Sequence, residues 1–221
     1  MAKNKGQKEQ TTQTEERKLT KAEQRRLEAF KKLEEEMLQN GYEKKDLTTT
    51  ALKANTLGCL YGAILALIVF LIGFAFGARL EGDGENPWNM LLVVLFAVLI
   101  VVHELIHGIT WGLFAKGGFK KNIEFGFIVQ YMTPYCTCKA ALKKWAYVIG
   151  SLMPCIVLGI GVCVLAFFLH HGPTFILGAL MIVSAGGDLL VTQMILMHKT
   201  KAKEVLYLDH PTDIGLVTFE K

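Results

Sequence analysis

His103, Glu104 and His107 stand in the order His-Glu-Leu-Ile-His inside residues 89–115, a run otherwise apolar enough to cross a membrane. Ionisable side chains in a helix of hydrocarbon length are expensive, so by default they mark a functional site. On a helix, residues four apart share a face, which aims both imidazoles at one point. Two histidines at that spacing with a glutamate after the first form a zinc signature, in which the glutamate serves as general base. The competing reading is a chance match on a soluble-type helix face. The apolar setting argues against it.

A catalytic zinc takes three protein ligands and keeps one position open. Outside the motif the apolar runs hold few ionisable groups, and the last of them carries Asp188, in Ser184-Ala-Gly-Gly-Asp-Leu-Leu. His103 and His107 precede Lys116 by thirteen and nine residues, and Asp188 precedes Lys199 by eleven. If both helices run in the same direction, the three side chains sit at similar depth. Gly186 and Gly187 would let helices approach closely, as a carboxylate ligand demands. The alternative is an Asp188 that pairs with a lysine or closes a polar network. The expected site is therefore one Zn2+ held by His103, His107 and Asp188. Glu104 would take a proton from the metal-bound water and pass it to a leaving amine. Other divalent metals that accept two imidazoles and a carboxylate stay open.

The elements that must position these residues follow from hydropathy. Of 221 residues 52% are hydrophobic, mean hydropathy is +0.34, and the formal charge is +4. The apolar residues gather in blocks at about 57–79, 89–115, 145–169 and 174–197. The expected fold is an all-α integral membrane protein of four transmembrane helices over residues 54–198, with a short cytoplasmic strand or hairpin insert and an N-terminal amphipathic helix. Lys and Arg concentrate before the first block, in the 116–144 connection and in the 199–221 tail. That places both termini on the cytoplasmic side of a multi-pass cell-membrane protein. The slight basic excess follows from those loops and does not imply nucleic acid. Membrane lipid and a peptide substrate are the expected partners; oligomeric state is not readable.

Residues 1–19 are polar and read as a disordered tail. In the 20–53 segment, a cytoplasmic helix and linker, Thr20-Lys-Ala-Glu23 forms a capping box that opens a helix to about Asn40, with Gly41 as its stop. Leu27, Phe30, Leu33 and Met37 give it one apolar stripe, for a membrane surface or for packing on the domain. Alternation over residues 123–131 predicts a strand or hairpin ending at Thr133-Pro134. It either receives an extended substrate by strand addition or plugs the cytoplasmic mouth. Pro154 should kink the third span. Trp88 and Trp111 suit interfaces, although Trp111 also suits internal packing. Cys136 and Cys138 have the wrong spacing for a zinc knuckle, and the five cysteines form no disulfide framework. His170 and His171 fall on the opposite membrane face, and His198 reads as interfacial. Val205 to Leu208 is strand-like, and Asp209-His210-Pro211 could fold back toward the site, though nothing in the sequence requires it.

HELIH in a span, the strand-like insert, TPYCTCKAALK, AGGD in a later span and LDHPTDIG resemble the small bacterial putative zincin membrane peptidases, a family known as a domain of unknown function. The resemblance covers about residues 50 to 218 and implies a peptidase. The layout is also similar to site-2 proteases, whose third ligand is an Asp followed by Gly in an Asn- and Pro-containing motif; here Leu189 follows Asp188. The expected function is a zinc-dependent, membrane-embedded endopeptidase acting on membrane or membrane-proximal substrates. The runner-up is a non-enzymatic membrane protein, either a divalent-metal carrier or an inactive protease-like scaffold. A carrier would show matching repeats with broken half-helices, and a dead scaffold would have lost Glu104. Neither feature is visible.

Overall fold

A computed structural model describes residues 21–81, 89–128 and 133–221. The expected tail at 1–19, the capping residue Thr20 and Trp88 lie outside the described residues. Helix α1 (Lys21–Gln39) ends where Gly41 adopts φ +81°, with Tyr42 N–H donating to the Met37 carbonyl. This left-handed stop satisfies carbonyls that the last helical turn leaves free. Phe30 and Met37 are buried against Leu208, Val217 and Phe219, so the apolar stripe packs on the domain.

The fold is not all-α. Strands β1 (Glu43–Thr48), β4 (Leu142–Lys143), β5 (Val205–Asp209) and β6 (Gly215–Glu220) form one antiparallel sheet in the order β1-β6-β5-β4. The reason is visible in β6, where β-branched and aromatic residues favour a pleated surface. Leu216 points into a core with Trp111 and Tyr147, while Val217 and Phe219 point at α1. β1 is charged and half exposed, and it is held at the edge by its main-chain ladder to β6. Because β1 leads into α2 (Ala51–Ala75), β4 into α5 (Lys144–Pro154), and α8 (Gly186–Met197) into β5, these helix ends share one end of the bundle. At the other end the segment after α2 meets the turn before α7 (Gly172–Ser184), where Glu81 bridges to His171.

Three helices are long and apolar enough to cross a membrane: α2, α3 (Asn89–Phe114) and the continuous run of 26 residues from Lys144 to Leu169. Leu67, Leu71, Val93, Val101 and Leu105 leave their outer faces apolar and exposed. The third run is α-helical to Pro154, π-helical over Cys155–Ile160, and α-helical again in α6 (Gly161–Leu169). Pro154 has no N–H to give the carbonyl four residues back, and the π-helical turn begins at the next residue.

The fourth expected span, by contrast, is not one straight helix. α7 and α8 meet at Ala185 with a bend of 44°. The small residues before Asp188 do allow close approach, but to a different helix. A Cβ on Gly186 would lie 2.1 Å from the Gly58 carbonyl oxygen of α2, whereas Gly187 faces open space.

The insert is a short helix α4 (Gly118–Asn122) followed by a hairpin of β2 (Ile123–Ile128) and β3 (Thr133–Cys138). Pro134 does not end the strand; it lies inside β3, opposite Phe127. The hairpin packs on α3 just past the motif. There a Cβ on Gly108 would lie 2.5 Å from the Phe125 ring.

Candidate metal centre

α3 turns Val101, Leu105 and Ile109 outward and His103 and His107 inward, the two histidines 6% and 3% exposed. Asp188 enters from the first turn of α8, where the helix dipole favours a carboxylate. The bend at Ala185 starts that helix beside the motif. His103 Nε2 lies 3.1 Å from Asp188 Oδ2, His107 Nε2 lies 3.2 Å from Asp188 Oδ1, and the two Nε2 atoms are 3.1 Å apart.

The donor set fits a zinc ion. Ligand atoms about 2.0–2.1 Å from zinc in a tetrahedron stand about 3.3 Å from each other, close to the spacings found here. His107 Nδ1–H donates to the Gly150 carbonyl at 2.8 Å, which leaves Nε2 with its lone pair facing the cluster. A lone pair turned toward a second imidazole and a carboxylate calls for a cation among them. Among the described residues, His103, His107 and Asp188 are the group whose ligand atoms converge this way.

Gly150 is available as an acceptor for a reason written in the sequence. Its carbonyl would ordinarily bond the N–H four residues on, and that residue is Pro154, which has none. The freed carbonyl fixes the tautomer and ring orientation of His107, a role that carbonyls often play toward metal-bound imidazoles. Trp111 stacks on the other side of the same ring, with centroids 4.8 Å apart and planes at 13°. Its Nε1–H donates to the Tyr147 carbonyl at 3.1 Å, and the ring is buried. Trp111 therefore packs internally and is not interfacial.

Glu104 does not join the ligand cluster. Its carboxylate borders the same cavity of about 260 Å³, together with His103, His107, Tyr147, Asp188 and Asp209. The Cys136 backbone N–H hydrogen-bonds it from β3. Burial pushes the Cys136 thiol up and the Cys138 thiol up to about 12.

His170 and His171 lie at the far end of the bundle. His198 pairs with Glu220 at 3.0 Å, tying the end of α8 to β6. Sequence reasoning did not single out Gly150 and Tyr147, and it left Asp209 open. Pro154 four residues after a glycine, in a helix facing the motif, was the available signal for the first.

Residues 96–203, about half the chain, match a family model described as "Putative zincin peptidase". No curated protein and no solved structure matches the chain. The match bears out the family resemblance and leaves the similarity to site-2 proteases without support. It stops short of LDHPTDIG.

Proposed function

On the match of residues 96–203 to the family model described as "Putative zincin peptidase", we propose that this protein is a zinc-dependent, membrane-embedded endopeptidase that hydrolyses peptide bonds of membrane or membrane-proximal substrates. The observation that carries the reading is the convergence of both motif imidazoles and the Asp188 carboxylate to 3.1–3.2 Å, with Glu104 on the same cavity. His103, His107 and Asp188 would hold a zinc ion, which would supply Lewis acidity and a water activated near neutral pH. His107 is held as a ligand by its Nδ1–H bond to Gly150 and by the Trp111 face. Glu104 takes the proton of the attacking water on a carboxylate oxygen and returns it to the leaving amine nitrogen. The Cys136 N–H orients that carboxylate.

In this reading α2, α3, α5–α6 and the bent pair α7–α8 are the four crossings. The sheet and hairpin sit on the cytoplasmic side, where Lys and Arg collect. The exposed apolar faces of α2 and α3 suit a hydrocarbon surround and would be a liability in water. The test is Glu104→Gln in the full-length chain, reconstituted in lipid. It should keep its metal and lose cleavage of a reporter membrane protein that the unaltered chain cleaves. A Glu104→Gln chain that still cleaves would exclude Glu104 as the base.

A further inference from the structure

Asp209 ends β5, beyond the residues matched by the family model, and its half-buried carboxylate lies where three elements meet. One oxygen accepts the Thr137 hydroxyl at 2.8 Å and the Cys138 backbone N–H at 3.3 Å, both on β3. The other accepts the Tyr147 hydroxyl of α5. None of these donors is charged, and burial holds the carboxyl above the usual aspartate range against their pull. A carboxylate so placed is a costly way to join a strand to a helix. Its two attachments have one thing in common.

Each attachment leads to the candidate centre within a few residues. Along a strand, alternate N–H groups point to the same edge. Lys139 N–H bonds the Asn122 carbonyl, on the β2 side, so the Cys136 and Cys138 N–H groups face the outer edge of β3. Cys138 N–H is held by Asp209 and Cys136 N–H by Glu104. On α5, Tyr147 stands one turn before Gly150, whose carbonyl holds His107. We infer that Asp209 is a positioning residue, through which the C-terminal strand sets the hairpin edge against Glu104 and α5 against His107. The C-terminal sheet would thus complete the centre by positioning it. The catalytic half of this inference rests on the peptidase reading; the structural half does not.

Two readouts separate positioning from simple stabilisation. The first is amide exchange in the full-length chain. Asp209→Ala should release Cys136 as well as Cys138, and Glu104→Ala should release Cys136. The double variant should exchange at Cys136 no faster than Glu104→Ala alone, because the coupled contact is already lost. Cys136 protection unchanged in Asp209→Ala, or effects that multiply, would overturn the inference. The second is turnover of a pool of internally quenched peptides. At saturating zinc, Asp209→Ala should lower kcat by about tenfold or more while KM holds, and loss of the α5 arm should weaken zinc binding. Val217→Ala, which weakens the same sheet on its far face, should keep kcat at an equal loss of thermal stability. Equal kcat losses in both variants would overturn positioning. No cleavage by the unaltered chain would count against the peptidase reading, and the exchange result would then decide the case for Asp209 by itself.

Discussion

Gly150→Ala tests how tightly His107 is held. A Cβ there would lie 2.0 Å from Trp111 Nε1 and 2.1 Å from its Cδ1. Ordinary contact needs about 3.5 Å or more, so the indole must retreat by more than an ångström. The ring cannot retreat freely, because it is buried, donates to the Tyr147 carbonyl and stacks on His107. Overpacking of this kind costs about 1–3 kcal/mol. A buried indole N–H left without its acceptor adds about 1–3 kcal/mol. The same shift strips His107 of its stacking partner and disturbs the Gly150 carbonyl, a change of the class that weakens metal binding by about 10–100-fold. Competition with a zinc chelator would read the affinity, and thermal unfolding in detergent the stability. Gly161→Ala on the same run is the control, since its nearest neighbour, the Ile156 carbonyl, lies 3.3 Å from the added carbon. Wild-type zinc affinity and wild-type unfolding in Gly150→Ala would refute the proposed support of His107.

Pro154→Ala restores an N–H that competes with His107 for the Gly150 carbonyl; zinc should bind about tenfold more weakly, with thermal stability no lower, measured by the same titration. Phe219→Ala removes a ring buried between β6 and α1 and should cost about 3–5 kcal/mol, read by chemical unfolding. Glu220 should contribute a pH-dependent stability. Burial alone would raise its pKa, but Lys45, Thr200 and His198 outweigh burial and bring it below the ordinary value of 4.5. A depressed folded-state pKa gives stability that is present above pH 4.5 and lost as pH falls through the folded value. Lys45→Met should therefore flatten the fall in Tm on acidification below that pH, measured by thermal unfolding across a pH series.

The long helices were legible because an apolar run of hydrocarbon length leaves few alternatives, and HELIH was legible because its polarity is out of place there. β1 was not. Glu43-Lys-Lys-Asp-Leu-Thr48 has no strand signature of its own, and its pairing with β6 joins opposite ends of the chain. β6 did carry a signal in Val217, Thr218 and Phe219, and with it an all-α reading was avoidable. The bend falls at Ala185, beside Gly186, whose missing side chain lets α8 pack closely on Gly58 of α2. Asp188 was found by depth along a helix that proved broken, and the close packing credited to its glycines joins α8 to α2. Asp209 was named as able to fold back. Only the register of β5 against β6, and the hairpin it meets, makes that placement necessary.

The most direct measurement is the zinc content of the purified full-length chain beside Asp188→Ala. The proposed centre requires about one zinc per chain in the unaltered protein and its loss in the variant, with the fold retained by thermal unfolding. Zinc that persists undiminished in Asp188→Ala would contradict the ligand set, and with it the proposed centre.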